Sequence, residues 1–172
     1  MTWIAEVTES YEGAQIPAGC ASRPRFHPPA SREAIDVAER DLQLTFPTSL
    51  RGLLEETDGV MSMLSVGGAG GTEMWFEDQW LVWTVARIVQ ENRSPVSADL
   101  ETGPRPMAEV RSRYLFFASA GVDGILFGFP RGSQGGCLES VVSWNPLGDT
   151  IPTAAKSLDR WIAGWLDGSI AV

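Results

Sequence analysis

The chain has 172 residues, 44% of them hydrophobic and 20% charged, with seven Trp and seven Phe, a composition that excludes a mainly disordered chain. That length suits a single domain over residues 1–172, able to bury a core without disulfides or metals. A formal net charge of -9 repels phosphate backbones and anionic headgroups, arguing against nucleic-acid and membrane partners and toward a basic protein partner, although acidity also serves solubility alone.

Along the chain, residues 3–11 predict a short helix with Trp3, Ile4 and Val7 on one side. Residues 12–30, holding Gly13, Pro17, Gly19, Pro24, Pro28 and Pro29, read as an irregular connection. Ser31 reads as an N-cap, and Ile35, Ala38 and Leu42 as the apolar stripe of a helix ending near Gln43. Pro47 suits the first turn of a second helix with Leu50, Leu53 and Leu54 inward, closed at Asp58-Gly59. Val60–Val66 predicts a strand and 67–71 a glycine turn. Met74–Leu81 predicts a second extended segment, interrupted at Glu77-Asp78.

Residues 83–93 read as a helix and 94–112, with three prolines, as a long surface loop. Strands are expected at Tyr114–Ser119, Ile125–Phe129 and Leu138–Trp144. Ser157 is expected to cap a last helix bearing Leu158, Trp161, Ile162, Trp165 and Leu166 at i, i+3, i+4, i+7 and i+8. Turns this short forbid parallel crossovers. The fold class is therefore α+β: an antiparallel twisted sheet of about four to six strands with helices packed on one face.

Chemistry finds little support. His27 is the single histidine, so any Ser-His-Asp or Cys-His arrangement must use it, and no Gly-x-Ser-x-Gly elbow is present. Cys20 and Cys137 have no CxxC spacing and read as free thiols, and one His cannot complete a zinc site. The glycine run lacks the phosphate-binding patterns. Neither acidic cluster, Glu73 with Glu77 and Asp78 or Glu55 with Glu56 and Asp58, resembles a calcium loop, so no metal or cofactor is expected. Carboxylate pairs could serve a hydrolase, but 22 acids make such pairs commonplace. The N-terminus has no basic region or long apolar run, and no apolar stretch approaches the length of a membrane span, so a cytoplasmic location is expected.

The aromatics carry more. Trp75, Phe76, Trp80 and Trp83 fall close together beside Glu73, Glu77 and Asp78. Trp75, Glu77, Asp78 and Trp80 read as partner-facing, an aromatic anchor with an acidic rim suited to a basic partner. On that reading alanine at Trp80 weakens binding and leaves the thermal midpoint nearly unchanged. Trp83, Leu53, Phe117, Trp144, Trp161 and Trp165 are assigned to the core.

Taken as an ordered set, these segments resemble the SUKH superfamily, which includes fungal cell-wall assembly regulators and bacterial toxin-immunity proteins. Trp3-Ile4 is similar to its first short helix. The run from Pro29-Ala30-Ser31 through Ile35, Glu39, Leu42, Phe46-Pro47, Leu50 and Leu53-Leu54 to Asp58-Gly59 is similar to its two-helix signature. Trp83 through Ile88 to Asn92 resembles the central Trp followed by a helix ending near Asn. Tyr114–Ala118, Asp123 and Val141–Trp144 resemble its strand pair, and Leu158–Leu166 its closing helix. Phe46 stands where Leu is usual and Asp58 where Asn is common, and the Gly-Asn-Gly-Asp turn is reduced to Gly121-Val122-Asp123. The resemblance implies a non-enzymatic, SUKH-like binding domain of the immunity type, with a basic toxin domain, often a nuclease, as partner. Asp58 and Asp123 join the partner-facing set. A monomer or weak homo-oligomer is expected. A regulatory adaptor of the same fold with a non-toxin partner stays open beside it.

Overall fold

The computed structural model describes residues 2–13, 20–67, 73–93, 106–120, 124–148 and 151–170. In chain order these form α1 (Trp3–Glu12), β1 (Cys20–Phe26), α2 (Arg32–Leu42), α3 (Thr48–Glu56), β2 (Val60–Gly67), β3 (Glu73–Val82), α4 (Val85–Arg93), α5 (Met107–Arg113), β4 (Tyr114–Ser119), β5 (Leu126–Pro130), β6 (Val141–Trp144), β7 (Thr153–Ala155) and α6 (Leu158–Leu166). The strands make two antiparallel sheets, β1-β2-β3 and β4-β5-β6-β7. The α+β class expected from the sequence holds, with seven strands among the described residues where four to six were expected.

Local chemistry explains most boundaries. Ser31 Oγ accepts the Ala34 N–H at 3.1 Å and starts α2, and Gln43 ends it in the left-handed region at φ 54°. Pro47 stands one residue before α3 as its N-cap, not inside the first turn. Ser157 occupies the N-cap position of α6 but caps through its carbonyl, which accepts the Trp161 N–H, and not through its hydroxyl. In α1 the buried residues are Val7 and Tyr11, while Ile4 is 39% exposed, so the apolar stripe runs i, i+4 from Val7.

Three elements stand where irregular chain was expected. β1 lies within the Pro-rich stretch; as an edge strand it tolerates Pro24, which pairs opposite Ser62. α5 replaces the end of the expected 94–112 loop, with Met107 and Val110 buried one turn apart; residues 94–105 lie outside the described residues. β7 is three residues long and is held by pairing with β6. The expected glycine turn lies almost entirely in 68–72, outside the described residues.

The core forms where helices meet these sheets. α1 packs on β1, α3 and α6; α4 and α5 pack on β4; α6 packs on β7. Trp83, Trp144, Trp161, Phe117 and Leu53 are all at most 2% exposed, as assigned, and Trp165 is half-buried at the core's edge. Phe117 stacks on Phe129 at 4.6 Å and meets Trp161 edge-on at 5.0 Å. Each such pair adds about 1 kcal/mol beyond the area it buries. Trp83 donates its backbone N–H to the Phe117 carbonyl at 2.9 Å, linking the end of β3 to β4.

Candidate functional site

The β2–β3 ladder contains two register shifts. Met61 pairs with Trp80, Ser62 with Gln79, Met63 with Glu77 and Ser65 with Trp75, so Leu81 and Asp78 are each an extra residue on β3. These are β-bulges, and they decide which side chains share a face. Strict alternation would put Trp75 and Trp80, five residues apart, on opposite faces. The bulge at Asp78 brings both onto one face with Glu77. The interruption expected at Glu77-Asp78 is therefore a bulge within a continuous strand.

On that face the central strand β2 contributes Met61, Met63 and Ser65, and β1 contributes Arg25 and Arg23 opposite the two methionines. Met61 and Met63 are 5% and 8% exposed yet stand apart from the main core. Their cover comes from side chains that reach across β2. Arg25 pairs with Glu77 at 2.5 Å, and the Arg23 guanidinium lies 4.0 Å from the Trp75 ring centroid. Both the Arg25–Glu77 pair and Arg23 are exposed, which limits the strength of each contact.

Trp80 closes the other end of the face. Its ring lies 4.9 Å from that of His27, and a Cβ at Gly59 would fall 3.0 Å from Trp80 Cζ3. Gly59 takes φ +90°, a conformation costly for any residue with a Cβ. Thr57 Oγ1 accepts the His27 N–H at 3.1 Å and donates to the Gly59 carbonyl at 2.9 Å, fixing this turn beneath the indole. Trp80 is half-buried and packs against the main core. Alanine there is therefore expected to lower the thermal midpoint, where the sequence alone led to the expectation of little change. Trp75 is the cleaner probe of the face.

Asp58 is a helix cap: its Oδ1 accepts the Val85 N–H at 2.7 Å at the start of α4. It also lines a groove of about 610 Å³ between α2 and α4, with Glu33 and Asp41. Among the described side chains, Arg23, Arg25 and Glu77 border the aromatics, and Glu33, Asp41 and Asp58 border the helical groove. The Asp78 side chain and Asp123 lie outside what the structure describes. Sequence reasoning missed Arg23, Arg25, Met61 and Met63; their period-two spacing was the available signal, masked by Pro24.

Other reactive groups are held quiet. His27 packs against Trp80 with the rings tilted by 33°, and its buried Nε2 has no hydrogen-bond partner among the described residues. Cys137 is a free thiol; burial pushes it up to about 11 against the pull of Arg131, so it stays protonated at neutral pH. Glu39 accepts the Phe46 N–H and, with Asp36, binds Arg51, whose pKa those partners raise; the Asp36 hydrogen bond is the main cause. Among the described residues no group of three His, Cys, Asp or Glu could hold a metal ion. No helix there is long and apolar enough to cross a membrane.

The model of the SMI1 / KNR4 family (SUKH-1) matches residues 29–164, which span α2 through most of α6. The chain belongs to this family. No curated protein matches the chain. The SUKH-1 match takes in Trp75, Glu77 and Trp80 and also both helices of the acidic groove, while β1, with Arg23 and Arg25, precedes it. The aromatic face of this SUKH-1 chain thus combines matched strands with an edge strand of the same sheet that lies outside the match.

Proposed function

We propose that this SUKH-1 protein is a non-enzymatic, single-domain immunity protein that binds a basic toxin domain in the cytoplasm and neutralises it. The observation that carries the reading is the face of the first sheet where Trp75, Glu77 and Trp80 converge over Met61 and Met63. Trp, Met and Arg are the residue types enriched at protein interfaces, and half-buried rings offer large contact area at low entropic cost. Methionine adapts its shape to a partner. The net charge of -9 favours encounter with a cationic domain such as a nuclease.

A hydrolase would need two carboxylates free to act in a cleft. Glu39 and Asp58 instead hold backbone N–H groups, and Asp41 pairs with Arg93 at 3.3 Å. The test is calorimetric titration of the purified chain with the toxin domain encoded beside it. A tight complex is expected, weakened on the order of tenfold or more by Trp75→Ala, with the fold retained by circular dichroism. No complex, or full affinity in Trp75→Ala, overturns the reading.

A further inference from the structure

We propose that the groove between α2 and α4 seats a basic amphipathic helix of the partner, its apolar residues on the floor and its Arg or Lys side chains against the rim. This rests on the protein-binding reading and assigns the partner's cationic part to a place away from the sheet face. Three features of the groove support it.

The floor is apolar and its side chains are short. Ala34, Val37 and Ala38 of α2 face Val85, Ala86 and Val89 of α4. Val37 is 41% exposed and lies beside the other apolar lining residues, so the trough presents an apolar side chain to solvent. Small residues on two packed helices leave a trough that an apolar helix face can enter.

The residues that line the rim are acidic. Glu33, Asp41 and Asp58 line it; Asp41 already pairs with Arg93 at 3.3 Å and Asp58 accepts the Val85 N–H, so a cationic partner meets Glu33 directly and competes with Arg93 for Asp41. Glu33 makes no ion pair among the described residues. Glu33, Val37 and Asp41 follow at i, i+4 and i+8, so an exposed apolar side chain sits between two carboxylates on one helix face. That pattern complements an apolar residue flanked by cations and repels an acidic segment.

The groove also adjoins the aromatic face. Asp58 precedes Gly59, whose backbone lies beneath the Trp80 ring. A partner anchored at Trp80 can therefore extend a basic helix into the groove without leaving the surface.

The test is methyl NMR on the full chain, titrated with a synthetic amphipathic helix carrying a Leu stripe flanked by Arg. The Val37, Val85 and Val89 methyls are expected to shift saturably. Affinity is expected to fall on the order of tenfold between low salt and about 0.5 M salt. Val37→Arg should abolish the shifts at Val85 and Val89. It keeps the helix because the new guanidinium lies at i+4 from Glu33 and at i-4 from Asp41. Val37→Leu should retain them. Equal shifts from a Glu-for-Arg peptide overturn the proposal, as do shifts confined to the Met61 and Met63 methyls. Shifts that appear on concentrating the chain alone assign the groove to a second copy and also overturn it. Full toxin affinity in Val37→Arg defeats the groove while leaving the protein-binding reading intact. Peptide binding in the groove without any toxin complex supports the groove and defeats the immunity reading.

Discussion

Asn92, 8% exposed at the end of α4, behaves as a substitute for a strand neighbour. Its Oδ1 accepts the Phe116 N–H at 2.9 Å, and its Nδ2 donates to the Phe116 carbonyl at 2.7 Å and to the Ile88 carbonyl at 2.8 Å. Both backbone groups of a buried β4 residue thus depend on one side chain. Truncation to alanine strands them, and each buried unsatisfied group costs about 1–3 kcal/mol. Asn92→Ala should therefore lose about 2–4 kcal/mol in urea unfolding at an unchanged slope. A loss below about 1 kcal/mol would mean that water replaces the amide. The SUKH resemblance pointed to this Asn, but no residue-level rule predicts its bonds, because they join positions 24 residues apart. Trp75, Glu77 and Trp80 were legible as types, whereas their common face was not. The bulge that unites them is a product of pairing with β2, which a period-two count along β3 cannot contain.

At the scale of elements, strong stripes were readable and borrowed stability was not. α2 and α6 carry their own periodicity and caps or core rings. α3 borrows its start: Pro47 offers no side-chain cap, and Glu139, far along the chain, accepts the Thr48 N–H at 2.8 Å and the Ser49 hydroxyl at 2.5 Å. A carboxylate there satisfies an orphan donor and meets the positive end of the helix. Glu139→Ala should lower stability by about 1 kcal/mol, with Glu139→Gln retaining part of it because the amide oxygen still accepts. Thermal unfolding of both variants reads the difference; equal midpoints in wild type and Glu139→Ala would remove the cap from the account. β1, α5 and β7 escaped the sequence for the same reason. α5 and β7 are short and β1 carries a proline, and each persists because a neighbour completes its hydrogen bonds or buries its few apolar residues.

Across the whole molecule, chemistry is divided between two neighbouring surfaces. The sheet face supplies rings and methionines with Arg23 and Arg25, so its contribution is short-range contact and desolvation. The helical groove and the excess of 22 acids over 13 basic residues supply the long-range field. Such a division separates the two rate constants of a complex. The association rate with a basic toxin domain should fall on the order of tenfold between low salt and about 0.5 M salt, while the dissociation rate changes little. Glu33→Gln combined with Asp41→Asn should lower the association rate and flatten its salt dependence. Trp75→Ala should leave that rate within about twofold and raise dissociation on the order of tenfold, since contact losses fall on residence time. Surface plasmon resonance across a salt series measures both constants at once. If Trp75→Ala slows association instead, or the charge variants act on dissociation alone, the aromatic face and the acidic groove do not have the separate roles assigned to them.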